Sequence, residues 1–128
     1  VADSAIAIQR AGGKVGVGSH GQFQGLGYHW EMWALGSGNA TPMEVLKAAT
    51  IDGAHIIGHG NEVGSIEAGK FADMVILNSD PREDIKNTTD IHRVMMNGRL
   101  YDDDTMNEEW PRKKTLPKLW YHDQGPAK

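Results

Sequence analysis

Two histidines and a glutamate stand close together in GSHGQFQGLGYHWEMW, residues 18–33: His20, His29 and Glu31, with Gln22 and Gln24 between them. A neutral imidazole can ligate a metal ion or accept a proton, and its ordinary pKa near 6.5 suits general-base work. His20 is the candidate for both tasks. Gln22 and Gln24 could meet a substrate amide from the loop, and His29 could join Gln22 in binding substrate. Glu31 has a plainer reading as a first-turn carboxylate favoured by a helix dipole. Tyr28, Trp30 and Trp33 could line a pocket or pack on a neighbouring helix, and packing is the commoner outcome at helical spacing. His55 and His59 are four apart, a separation that can pinch a metal on a helix, but Gly58 is expected to end that helix first. His92 and His122 read as ordinary polar side chains.

The elements that must position these groups alternate helix and strand. DSAIAIQRAGG predicts a helix over Ser4–Ala11, with Asp3 or Ser4 as N-cap and Gly12-Gly13 as the stop. KVGVG, residues 14–18, is short, valine-bearing and flanked by glycine, which predicts a buried strand. Helix, turn and strand make half of an α/β unit. HWEMWALGSG predicts a helix ended by Gly36 to Gly38. In TPMEVLKAAT, Thr41, Pro42 and Glu44 form a capping box with proline at the first helical position. Thr50 is expected to cap a further helix closed by Gly58. Met74–Leu77 is apolar without a break, as in a strand covered on both faces. Asn97-Gly98 between two extended runs is a hairpin signal. From Asp103 onward the sequence is charged, broken by proline and without periodicity, so 103–128 is expected to be a tail ordered only where Trp110, Leu119 and Trp120 find a surface; Arg112-Lys113-Lys114 reads as a solvated turn.

Composition bounds the function. With 17 acidic and 13 basic side chains and a net charge of −4, the chain lacks the basic stripe that nucleic-acid binding needs. It has no cysteine, which excludes disulfides, thiolate metal sites and cysteine nucleophiles and fits a reducing compartment. No apolar run approaches the roughly 20 residues of a membrane span, and no signal-like start is present. The expectation is a soluble protein, cytoplasmic by preference. The first residue, Val1, falls inside a helical pattern, so the chain reads as a piece of a longer one.

The strand with GSHG, the loop with HWEM, then TPMEVLKAATIDGAHIIG, GSIEAGKFADMVILNSDP and VMMNGRLYD together resemble the C-terminal end of a metal-dependent amidohydrolase, over about Ala5 to Asp102. The resemblance implies an α/β fold: the end of a (β/α)8 barrel over residues 1–60, part of a small β-sandwich over 61–102, and the tail over 103–128. KVGVGS would be the eighth barrel strand. Barrels of this kind carry catalytic groups at the C-terminal ends of their strands, where His20 falls. Most members hold an aspartate there, in a Gly-Thr-Asp pattern, that binds metal and accepts the proton of the attacking water; GSH departs from it and brings no negative charge. The resemblance further implies a divalent metal, zinc above all, acting as Lewis acid in the full-length protein. The other ligands, a His-x-His pair, a bridging lysine or glutamate and two more histidines, would lie on earlier strands, so the piece alone is expected to bind no metal and to be inactive. The implied reaction is hydrolysis of an amide or cyclic amide C–N bond in a small molecule, with no nucleic-acid or membrane partner. Unpaired strand edges point to a homo-oligomer. The competing class is a non-enzymatic α/β module that binds a partner through its strand edges or aromatic loop.

Overall fold

The structure, a computed structural model, describes residues 1–21 and 23–119. It is an α/β arrangement in which helices come first and a four-stranded antiparallel sheet follows. Helix α1 spans Ala2–Arg10 and buries Ile6, which is 1% exposed. Neither Asp3 nor Ser4 caps it: the N-cap is Val1, without a side-chain bond. Asp3 instead accepts the Asn39 backbone N–H at 2.8 Å, a tertiary contact that takes the carboxylate a cap would have used. The stop is as expected. Gly12 has φ +90°, and the N–H groups of Gly12 and Gly13 donate to the Gln9 and Ile8 carbonyls, the double closure that a left-handed glycine permits.

Residues 14–18 form no strand among the described residues, which corrects the expectation. Strand structure exists only through pairing, and no neighbouring strand lies beside this run. It lies instead along a helix: a Cβ on Gly16 would stand 3.2 Å from Ile56 Cδ1 and 3.6 Å from Gly53 Cα, so glycine sets the approach distance.

Helix α2 spans Leu26–Gly36, and α3 spans Pro42–Lys47 with the capping box in place. Glu44 N–H donates to Thr41 Oγ1 at 3.3 Å, and Thr41 N–H donates to Glu44 Oε2 at 2.8 Å. Thr50 does not cap a further helix. The chain runs on through a π turn, Ala48–Asp52, into α4, Gly53–Ile56, and the Thr50 hydroxyl donates back to the Leu46 carbonyl at 2.6 Å. Nothing in AATIDG breaks the helix, so the hydroxyl takes the i−4 bond open to it. Gly58, φ +84°, closes the run as expected. The five core side chains Ile6, Met32, Val45, Ala48 and Ala54 come from every one of these helical turns. Burying Ile6 and Val45 fully stabilises the fold by about 1.5–3 kcal/mol each.

The sheet has the order β1 (Met74–Leu77), β2 (Ile91–Met96), β3 (Arg99–Asp102), β4 (Glu108–Trp110). Asn97 and Gly98, φ +49° and +73°, make the expected hairpin turn. Asp73 Oδ1 accepts the Asn97 N–H at 2.5 Å and the Ala72 carbonyl accepts from Gly98 at 3.0 Å, so the start of β1 pins the turn. Two expectations need correcting. β1 is an edge strand with Val75 and Ile76 exposed, not one covered on both faces. The stretch beyond Asp102 is not all tail: Glu108–Trp110 pairs with β3, and Lys114 bridges back to Glu108. Period-2 pattern is invisible in three residues, and pairing alone defines that strand. A 3₁₀ turn, Ile85–Thr89, joins β1 to β2 and packs on α2; Ile85 Cγ2 lies 3.3 Å from where a Gly36 side chain would begin.

Candidate functional site

The run 14–18 is anchored at its root and free at its end. At the root, the Asp52 carboxylate, 4% exposed, accepts from Gln9 Nε2 at 2.9 Å and lies 3.3 Å from Lys14 Nζ. Burial pushes the Asp52 pKa up, but the bonds from Gln9 and Lys14 outweigh it and the net direction is down. Asp52 is the last residue of the π turn and one of its two buried residues. At the far end the chain passes Ser19 and reaches His20, which adopts φ +39°. A residue other than glycine is uncommon in the left-handed region, though histidine enters it more readily than most.

His20 is exposed and shares a concavity of about 370 Å³ with Ser19, Gly21, Phe23, Gly27, Trp30 and Glu31. Neither the His20 imidazole nor the Glu31 carboxylate has a partner among the described residues. Both groups are available to a ligand. Phe23 and Trp30 form one wall, their ring centroids 5.6 Å apart and tilted by 53°. A second concavity, of about 570 Å³, lies between Val15, Val17, Ala34 and Leu35 and reaches Glu31 at its border. Asp3 and Ser37 also line it, and none of its described lining residues is a histidine.

His29 sits apart from this site. Its Nδ1 lies 3.0 Å from Thr88 Oγ1, so it ties α2 to the 3₁₀ turn, and burial pushes its pKa down. Trp33 Nε1 donates to the same oxygen at 3.4 Å. The Tyr28 hydroxyl donates to the Ala49 carbonyl at 2.7 Å, and burial raises its pKa. The aromatic set therefore divides: Trp30 lines the concavity, while Tyr28 and Trp33 join α2 to its neighbours. Gln22 and His122 lie outside the described residues; Gln24 is exposed and does not line the concavity. His55 and His59 do not share a helix, since α4 ends before His59, whose Nδ1 lies 2.6 Å from Glu62. His92 is exposed on β2.

Two residues were underrated by the sequence. Glu31 was expected in a first helical turn, but α2 begins at Leu26 and has no acidic residue there. Phe23 is one aromatic side chain in a glycine-rich loop, with no periodicity to mark it. Its place three positions after His20 in the same loop was the available signal. Among the described residues no group of three His, Cys, Asp or Glu side chains is placed to hold a metal ion. His20 can supply one ligand and no more.

The amidohydrolase family model matches residues 1–101. Imidazolonepropionase of Shouchella clausii (strain KSM-K16) is 44% identical over 54 residues, which cover 42% of this chain and 12% of that protein. S-triazine hydrolase of Gordonia rubripertincta is 36% identical over 72 residues, covering 47% of this chain and 15% of that protein. Among solved structures, a Xaa-Pro dipeptidase with bound methionine in the active site superposes with a TM-score of 0.68 at 26% identity, covering 79% of this chain and 25% of that one. The chain thus spans between about an eighth and a quarter of these relatives.

Proposed function

The chain belongs to the amidohydrolase family, and from that premise we propose that it is the C-terminal part of a metal-dependent hydrolase acting on an amide or cyclic amide C–N bond in a small molecule. The observation that carries the proposal is His20: an exposed imidazole without a partner among the described residues, at the end of the 14–18 run, on a concavity walled by an aromatic pair and a carboxylate. In this reading residues 1–60 complete a barrel, 61–102 belong to a small sandwich, and 103–128 extend from it.

The donor chemistry fits a divalent metal in part. His20 would be one ligand, and a catalytic zinc site usually takes three protein ligands, so the others would come from outside these residues. A bound divalent ion supplies Lewis acidity toward the substrate carbonyl. A neutral imidazole has one ring nitrogen without a proton, so where His20 is not a metal ligand that nitrogen can instead take the proton of the attacking water and return it to the departing nitrogen. Phe23 and Trp30 exclude water from one side of the substrate. That relatives include a triazine hydrolase and a dipeptidase supports a hydrolytic reading.

The test is a panel of small amides and cyclic amides offered to the intact protein, before and after chelation and again after zinc is restored. Hydrolysis lost with the metal and regained with it is the expected result. No hydrolysis, with the metal fully loaded, would favour the non-enzymatic module that binds through the exposed β1 edge.

A further inference from the structure

We propose that the concavity at the end of the 14–18 run selects a guest carrying a cationic amine or amidine on a flat apolar body, with Glu31, Phe23 and Trp30 as the selecting residues. Calling the guest a substrate rests on the hydrolase reading; the charge preference does not.

Glu31 is the sixth residue of α2, beyond the reach of a dipole that falls off within the first turn. No hydrogen bond or ion pair engages it among the described residues. Among the described residues no lysine or arginine lines the concavity, so none of them offers the carboxylate a counter-charge there. An anionic guest would be repelled, and an ammonium or amidinium would supply the missing charge and donors. The neighbouring wall fits the same guest. Phe23 is 64% exposed and Trp30 44%, leaving ring surface for an apolar body to cover, and an indole face is the strongest aromatic partner for a cation. The floor is small: a side chain begun at Gly27 would stand 3.4 Å from Ser19 Cβ and 3.8 Å from Phe23 Cβ. Gly21, Gly27 and Ser19 thus leave room between the rings and the carboxylate. His20 stands in the same concavity, so a guest anchored through its cation presents its other end to the imidazole.

The test measures binding, not turnover, by isothermal titration of the intact protein with benzylamine, benzyl alcohol and benzoate as matched cationic, neutral and anionic probes. The expected order is benzylamine first, tighter than benzyl alcohol by about 3- to 30-fold, the range that one exposed ion pair plus one cation–π contact gives, with benzoate weakest. Glu31→Gln should abolish the cationic preference, Glu31→Asp should keep part of it, and Trp30→Leu should weaken benzylamine and benzyl alcohol together. Equal binding of the three probes, an anionic preference, no measurable binding, or a cationic preference that survives Glu31→Gln overturns the proposal. Thermal melting of each variant separates lost folding from lost binding, and Glu31 and Trp30 both lie on an exposed face. If the same sample cleaves no amide, the hydrolase reading fails while the charge preference is still decided.

Discussion

His20 and His29 show how one residue type takes two roles through position alone. His20 is exposed, with a positive φ and no partner among the described residues, whereas His29 is held against Thr88 and partly desolvated. In the intact protein His20→Ala should lower turnover by about 10²-fold or more, the scale for losing a positioned acid or base. Steady-state rates with metal content measured in parallel check this; near-normal turnover at full metal content would leave His20 an ordinary loop residue. His29 makes a different prediction, about stability. Burial lowers its folded pKa below the ordinary 6.5, so the unfolded chain binds the proton more readily, and stability falls as pH drops through about 6.5 toward the lowered value. Urea midpoints at pH 7.5 and 5.5 should therefore separate more for the native sequence than for His29→Gln. An equal separation would mean that His29 is not linked to folding.

At the scale of elements, α3 is the best specified in the chain. Thr41, Pro42 and Glu44 satisfy the first-turn N–H groups locally, and Glu44 also accepts from Arg10 at 2.6 Å and 2.9 Å, which joins α3 to the end of α1. The Arg10 guanidinium, with help from Thr41, holds the Glu44 carboxyl down at about 2. Since its folded pKa is depressed, Glu44 stabilises the fold fully above about 4.5, and that contribution is lost as pH falls toward about 2. Acid titration followed by circular dichroism should show the loss, and Glu44→Gln should flatten it. Thr41→Ala removes one cap acceptor and should cost about 1 kcal/mol of stability, read from a denaturation curve. At the other end of this helical run, Gly58→Ala places a Cβ at φ +84° and should cost about 1–2 kcal/mol, with no steric clash to confuse the result. If Gly58→Ala is neutral, the C-terminal closure by His59 N–H to the Ala54 carbonyl is not what ends the helix.

For the whole molecule the open surfaces decide behaviour. β1 leaves Val75 and Ile76 exposed on a sheet edge, and Ile56, Ile57 and Phe71 are exposed as well. Unpaired edges and contiguous apolar surface both promote association. The 128-residue chain by itself should therefore form dimers or larger species, seen as a mass above 14.0 kDa by light scattering. A monomer with sharp, dispersed amide resonances would show that these faces are tolerated in water. The same chain should not hydrolyse amides alone, because His20 is one ligand where about three are usual. Turnover by the isolated chain that a chelator abolishes would sink that expectation. No helix among the described residues is long and apolar enough to cross a membrane.

What the sequence by itself determined was mostly local: the α3 capping box, the glycine closures after α1 and α4 and the Asn97-Gly98 turn depend on residues a few positions apart, and the family resemblance is a succession of short motifs along the chain. Such signals survive in any context, because their partners travel with them. What only the tertiary structure decided needed partners far along the chain. Asp3 left its cap for Asn39, Asp52 at the end of the π turn met Gln9 and Lys14, and Glu108–Trp110 became a strand by pairing with β3. The 14–18 run shows the converse, since strand-forming residues without a neighbouring strand pack on a helix instead. The site follows the same rule: His20 was legible because it ends that run and Phe23 follows it by three positions in the same loop, whereas Trp30 and Glu31 join them on one concavity only through the placement of α2.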